Sequence, residues 1–475
     1  MGSFNRKDFL KVTGLAGIAG AGFLTGCNAG ASSSGNRDGN SPFRLTHDQT
    51  FNMSGYAAPA LETVRVGITG VGSRGRGAVR RLSRIEGVQI TALSDVVPEN
   101  IDSAMEILEG TDHSPEAYTN GPEDWKRMCD SDDVDLVYIC TPWHLHTPQA
   151  VYAMESDCHV ATELPAAVTI EECWQLVETS EKTRKHCMML GNVCYDFFEM
   201  VTLNMARQGF FGELIHGEGA YIHDLMGLNF SKTAYHDMWR LKENANRNGN
   251  IYPPHSIGPV SKAMNINSGD KMDYLVSMSS HDFMMADKAR ELAQEDEVFE
   301  PFVGSNFRGN MNTTLIKTRK GRTIMLQHDV TSPRPYSRIH LLSGTKGIAR
   351  KWPLPARIAT SHHDWLSDEE FAELEEQYTP EITKQVGEMA RQVGGHGGMD
   401  TIMDWRMIDC IRNGLPLDMD VYDAALWSAI GPLSEWSTNN TFEKLEVPDF
   451  TSGSWETNEP GMDINLERGG TTQII

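Results

Sequence analysis

The chain has 475 residues, more than one ordinary hydrophobic core accommodates, so two domains are expected. Hydrophobic residues at 40% and charged residues at 23% are usual for a globular chain. Sixty-five acidic against 42 basic residues leave a net charge of −23, a surface that repels phosphate backbones and argues against nucleic acid as a partner.

Residues 1–27 read MGSFNRKDFLKVTGLAGIAGAGFLTGC. A basic stretch (Arg6, Lys7, Lys11) precedes a Gly/Ala/Leu run, the pattern of a signal peptide. Its end, Leu24-Thr25-Gly26-Cys27, resembles a bacterial lipobox, which makes Cys27 the expected site of a lipid and the only expected link to a membrane. RKDFLK resembles a twin-arginine export signal, with Arg6-Lys7 in place of the arginine pair. Residues 28–60 are rich in Gly, Ser and Asn and are expected to form a flexible tether outside the fold.

A Rossmann domain is expected over 61–194. Val64–Thr69 reads as a short apolar strand running into Gly70-Val71-Gly72-Ser73-Arg74-Gly75 and a helix from Arg76 to Ile85. Strand, turn and helix in this order are what the dinucleotide fingerprint requires. Gly70 permits the tight turn, Gly72 the approach of the diphosphate, and Gly75 close packing of helix on strand. The diphosphate would rest on the helix N-terminus, with Arg74 adding charge. A second strand, Val88–Ser94, ends at Asp95, 20 residues after Gly75. A carboxylate there accepts from the ribose hydroxyls and repels a 2′-phosphate, so NAD is expected over NADP.

The alternation continues through strand Val134–Cys140, helix Pro148–Met154, strand His159–Thr162, helix Thr169–Lys182 and strand Cys187–Leu190. Such alternation means a parallel sheet, and ligands bind beyond the carboxyl ends of its strands. Trp143, His146, Glu163, Leu164 and Asn192 all follow strand ends and are expected in one crevice.

From about 195 to 440 a substrate and oligomerisation domain of α+β type is expected, with a mainly antiparallel open sheet. A helix over 196–208 leads to a strand over 213–222, with further strands over 306–318, 322–331 and 337–343. Helices over 399–412 and 424–436 are placed to return and brace the interface. Residues 441–475 read as a C-terminal tail. The eight cysteines (27, 129, 140, 158, 173, 187, 194, 410) include no CxxC pair and read mostly as buried thiols. The histidine spacings lack a third ligand, so no metal is expected.

GVGSRGRG, DLVYICTPWHLH, TELPAAVTIEECW, YDFFEMVTLNMARQGFFGELIHGEGAYIHD, MWRL, GNIYPPHSIGP, MNINSGD and GGHGGMD resemble the NAD-dependent glycoside hydrolases of family 109. That family lies within the glucose–fructose oxidoreductase and inositol dehydrogenase superfamily, and the resemblance spans roughly residues 60–440. It implies α-N-acetylgalactosaminidase activity. It implies that Ser73, Arg74, Asp95, Trp143, His144, Leu145, His146, Glu163, Leu164 and Asn192 hold NAD. It further implies that Tyr221, Arg240, Tyr252, Pro253, Pro254, His255 and Tyr336 face the sugar. Departures from the family pattern are Leu164 for valine, Pro254 for threonine and Gly191 for an acidic residue. Pro254 removes a hydroxyl at the sugar. Leu164 also replaces the lysine with which the superfamily's simple dehydrogenases handle protons.

No pair of carboxylates stands out as a conventional glycosidase couple. Oxidation of the sugar at C3 offers another route. It acidifies the C2 proton and permits elimination of the C1 group, water addition and re-reduction, with the cofactor recycled. His255 and Tyr252 are the leading candidates for proton transfer. Tyr221, on a strand face shared with His223, is the candidate donor to a sugar hydroxyl. His396 in GGHGG fits either a ligand or a turn leading into a helix. Two competing functions remain at this stage: a sugar oxidoreductase of the same fold, and a non-catalytic glycan-binding lipoprotein with structural NAD. A homodimer is expected by analogy with folds whose open sheet pairs.

Overall fold

The computed structural model describes residues 41–475. The expected signal peptide, the expected lipobox with Cys27, and the expected tether up to residue 40 lie outside the described residues.

Six strands form the first sheet: β1 (Val64–Thr69), β2 (Val88–Ser94), β3 (Glu116–Tyr118), β4 (Leu136–Ile139), β5 (His159–Thr162) and β6 (Cys187–Met189). Their order is β3-β2-β1-β4-β5-β6, and every pairing is parallel. The central strands β4 and β5 are buried at all four positions, which explains their unbroken apolar runs. Helices cross between strands. The one at Ile170–Thr183 starts at a capping box in which Thr169 accepts from the Glu172 N–H at 3.1 Å.

The second sheet has eight strands: β7 (Leu214–Ile222), β8 (Met272–Ser279), β9 (Asn312–Thr318), β10 (Thr323–Asp329), β11 (Leu341–Gly344), β12 (Ile348–Arg350), β13 (Arg357–Ala359) and β14 (Leu445–Glu446). Their order is β13-β12-β11-β7-β10-β9-β8-β14; only β7 with β10 is parallel. One face packs on the Pro254–Ala263 helix. That contact is close because Gly219 has no side chain: a Cβ there would lie 2.1 Å from the Ser256 carbonyl oxygen. The opposite face carries Val276, Met278, Leu315 and Met325, of which Met278 and Leu315 are exposed.

Both late helices return. Met399–Asn413 packs on the Ser73–Leu82 helix, and Val421–Asn439 packs on Ile170–Thr183 and on β8. Asp420 caps the latter by accepting from the Tyr422 and Asp423 N–H groups.

Several expectations change. Residues 41–60 are not tether. His47 Nε2 lies 2.8 Å from Glu181 Oε1, Met53 is buried, and its N–H donates to the Tyr422 hydroxyl. Composition concealed these few anchors. The 441–475 segment is no loose tail either: it supplies β14, Trp405 donates to the Thr472 carbonyl, and Ile474 bridges to Ile85. The helix expected from Arg76 begins at Ser73, directly on the glycine turn. The strand expected from 306 begins at Asn312. The one expected from 337 begins at Leu341, because Ile339 and His340 take left-handed backbone angles (φ 58° and 45°) that interrupt it. Among the described residues no helix is long and apolar enough to cross a membrane, and no group of three metal-binding side chains occurs.

Candidate active site

A cavity of about 1060 Å³ opens where the carboxyl ends of the parallel strands meet the second sheet. Its cofactor side is built from the glycine turn. Gly70 has φ +80°, and a Cβ there would lie 2.8 Å from the Cys140 carbonyl carbon. A Cβ on Gly75 would fall 2.1 Å from the Gly70 oxygen. At Gly72 a Cβ would meet nothing nearer than Asn100 Nδ2 at 4.0 Å, so that backbone faces open space. The turn thus leaves the first N–H groups of the Ser73–Leu82 helix bare toward the cavity, the setting in which a diphosphate binds.

Asp95 lines the cavity, and its carboxylate accepts from the Val71 N–H at 2.8 Å and the Val97 N–H at 2.9 Å. It is a strand-end brace as well as the expected ribose acceptor; each oxygen keeps a lone pair. Arg74 does not stand free for the diphosphate. Its guanidinium pairs with Glu163 and, at 2.7 Å, with Asp400. Trp143, His144, Leu145, His146, Leu164 and Asn192 all line the cavity as expected. His146, however, is held between the Thr141 and Pro165 carbonyls at 2.7 Å each, which makes its ring a brace. Asn192 donates from Nδ2 to Asp400 at 2.5 Å, while its Oδ1 is buried without a partner. The uncrowded Gly72, the bare helix start, Asp95 and this orphaned amide oxygen fit a dinucleotide.

The side expected to face the sugar comes from β7 and the two helix starts beside it. Tyr221, at the end of β7, stacks on His255 (centroids 5.3 Å, planes 28° apart) and meets Tyr252 edge-on at 4.8 Å. Tyr252 stacks in turn on Trp143 (5.4 Å, 16°). Arg240 lies over the Trp143 and Tyr252 rings and donates to the Tyr235 hydroxyl at 3.2 Å, leaving its Nη2 buried without a partner. Tyr221 and His223 share a face, as expected, with Oη 3.0 Å from Nδ1.

Burial lowers the His255 imidazole well below its ordinary value, and Arg338, His396 and Arg74 lower it further, so it is neutral near pH 7. Its Nδ1 has no partner. Burial pushes the Tyr221 phenol up to about 12 against the pull of Arg240, and raises Tyr252 well above the usual range. A neutral imidazole thus sits beside two phenols that keep their protons, which suits one base and two donors.

Three expected sugar residues do not line the cavity. Pro253 and Pro254 instead form the start of the helix that carries His255. Tyr336 stands behind, its ring 5.0 Å from His223 and 6.5 Å from Tyr221. Sequence reasoning missed Asp400, which is fully buried and pairs with Arg74, Arg81 and His396. Burial would raise its carboxyl; the His396 hydrogen bond, Arg74 and Arg81 reverse that and hold it well below the usual carboxylate range. Its only signal was an acidic residue in the first turn after GGHGG. Trp239, read in the MWRL string as a stacking face beside Arg240, also lines the cavity, and so does Tyr235, which gave no signal beyond being aromatic.

Residues 64–190 match the family model described as oxidoreductase family, NAD-binding Rossmann fold, and residues 195–457 match glycosyl hydrolase 109, C-terminal domain. An alpha-N-acetylgalactosaminidase of Bacteroides fragilis is 48% identical over 418 residues, covering 86% of this chain and 97% of that protein. A glycosyl hydrolase family 109 protein of Shewanella pealeana is 42% identical over 464 residues, covering 96% and 98%. Among solved structures, a levoglucosan dehydrogenase in complex with NADH aligns with TM-score 0.60 at 15% identity, covering 82% of this chain and all of that one. A scyllo-inositol dehydrogenase of Lactobacillus casei with bound NAD(H) aligns with TM-score 0.57 at 15% identity, covering 81% and 99%. These two likenesses concern the fold. The chain belongs to glycosyl hydrolase family 109 and is an enzyme, a glycosidase whose Rossmann domain takes NAD as cofactor.

Proposed function

We propose that the protein hydrolyses terminal α-N-acetylgalactosaminides. The observation that carries this is the single cavity in which the glycine turn and Asp95 face Tyr221, Arg240, Tyr252 and His255. The name of the Bacteroides fragilis relative supports the choice of sugar. When bound, NAD supplies reversible oxidation of the sugar at C3, which makes the C2 proton acidic. His255, neutral and half-buried, takes up a proton at C2 or at the C3 hydroxyl. Tyr221 and Tyr252 donate to the oxygen on which negative charge develops. Arg240 orients the sugar through its unpartnered Nη2. Loss of the C1 group with a proton, addition of water across C1 and C2, and reversal of the C3 oxidation complete the hydrolysis.

The experiment is turnover of an aryl α-N-acetylgalactosaminide in deuterated water. Phenol release with no net NADH and with deuterium at C2 supports the scheme. Release without exchange removes the elimination step.

We also propose export and lipid attachment at Cys27, on the strength of the basic stretch, the apolar run and the LTGC end of residues 1–27. Palmitate labelling of the wild type, absent in Cys27→Ser, tests it. Pairing of two copies through the open face bearing Met278 and Leu315 is the matching proposal for assembly, tested by sedimentation of a Leu315→Lys variant.

A further inference from the structure

The cavity has a wall that neither the cofactor residues nor the sugar residues account for. The segment between β7 and the Trp239–Asn246 helix contributes Leu228, Thr233, Tyr235 and Asp237 to the lining, and Trp239 opens the helix itself. Tyr221, Arg240 and Tyr252 are buried, whereas Leu228 and Asp237 are exposed and Tyr235 and Trp239 are half-buried. Leu228 and Asp237 therefore lie on the solvent side of the buried set, on a route by which a group attached to the sugar reaches solvent.

The wall is built, not merely open. Asp237 and Met238 are consecutive non-glycine residues in the left-handed region (φ 50° and 47°), a turn that ordinary side chains adopt only when their surroundings hold it. Lys242 pairs with Asp237 at 2.5 Å beside this turn, and Lys232 pairs with Asp296 at 2.5 Å midway along the segment. The rings then run in sequence. Tyr235 meets Trp239 at 5.4 Å, Trp239 meets Trp143 at 5.1 Å, and Trp143 stacks on Tyr252 at 5.4 Å. One aromatic surface therefore leads from the sugar-facing Tyr252 to Tyr235 at the rim.

We propose that Tyr235 and Trp239 form a leaving-group subsite that receives a six-membered ring, pyranosyl or aryl, attached at C1 of the sugar. The proposal rests on the glycosidase reading above. Half-exposed aromatic faces bind flat apolar faces, which both kinds of ring present. A methyl substituent is too small to cover them.

The test compares kcat/KM of the wild type and of variants, all with nucleotide bound, on α-N-acetylgalactosaminides whose C1 substituent is methyl, p-nitrophenyl or galactosyl. Tyr235→Ala is expected to lose about tenfold on the two ring-bearing substrates, through KM, and no more than about twofold on the methyl glycoside. Tyr235→Phe, which keeps the ring but drops the bond to Arg240, is expected to preserve the discrimination. Trp239→Leu gives a second reading should Tyr235→Ala not fold. A loss confined to one ring-bearing substrate narrows the subsite to that kind of ring. Equal loss on all three substrates would make Tyr235 a prop for Arg240 and overturn the subsite, as would no loss at all. Failure of the wild type to cleave any of the three would instead overturn the glycosidase reading. Calorimetric binding of the p-nitrophenyl and methyl glycosides to wild type and Tyr235→Ala would then decide the subsite separately.

Discussion

Asp400 accepts a hydrogen bond from Arg74 at 2.7 Å, joining the helix that follows the glycine turn to the helix that returns from the far end of the chain. The same carboxylate accepts from Asn192 at 2.5 Å and lies 2.8 Å from His396 Nδ1. One buried charge thus holds three elements of the cofactor side in register.

Asp400→Asn removes that charge and leaves Arg74 with Glu163 alone and Arg81 with Asp404 alone. Because those partners remain, the expected cost is at the low end for breaking a buried pair, about 3 kcal/mol. Urea unfolding measures it, and nucleotide content after purification should fall with it.

Gly75→Ala places a Cβ 2.1 Å from the Gly70 oxygen, a backbone atom that cannot move without opening the turn. The variant is expected to purify without nucleotide and to regain little affinity for added NAD⁺. Calorimetric titration checks this; wild-type affinity would show that the turn tolerates the shift.

Activity should fall on the acid side as His255 takes a proton. Burial and three nearby cationic or ionisable groups place that event well below pH 6.5, so kcat/KM is expected to stay level from pH 8 down through 6.5. His255→Gln should lower kcat by about 10²- to 10⁴-fold with nucleotide content unchanged. A pH–rate profile and the absorbance of released nucleotide provide the two measurements.

Stability should decline with acid earlier than carboxylates alone would cause. Burial lowers His159 to about 4, helped by Lys185, and lowers His186 and His340 to about 3, helped by His159 and Lys185 and by Lys351 and Arg338 respectively. Unfolded, each binds a proton near pH 6.5. Their neutral forms therefore stabilise the fold fully above 6.5, and that contribution is lost as pH falls toward 4 and then 3. The loss is about 1.4 kcal/mol per pH unit for each histidine over that window. Thermal melts between pH 7 and 4 test it, and His340→Gln should flatten the decline.

Local pattern was enough for five strands of the first sheet, which carry apolar runs, while β3 (Glu116–Tyr118), a short edge strand with only Tyr118 buried, went unread. The turn is a string of glycines with one steric solution, and Asp95 follows at the spacing the fold demands. The resemblance strings singled out Tyr221, Arg240, Tyr252 and His255, which the structure brings into one cavity. The β8 strand went unread because its alternation is masked by Met, Asp and Ser on both faces.

From the chain alone came the Rossmann half, its cofactor and the type of the second sheet, because each depends on residues close in sequence whose periodicity and sterics leave few alternatives. Only the folded molecule revealed that Asp400 anchors the glycine loop from 326 residues away. It likewise revealed that Arg74 is already paired, that residues 41–60 and 441–475 are packed, and that Tyr235 and Trp239 continue the aromatic lining of the cavity from Trp143. Those relationships arise between segments that are remote along the chain, where burial and charge pairing are settled by packing and leave no local mark.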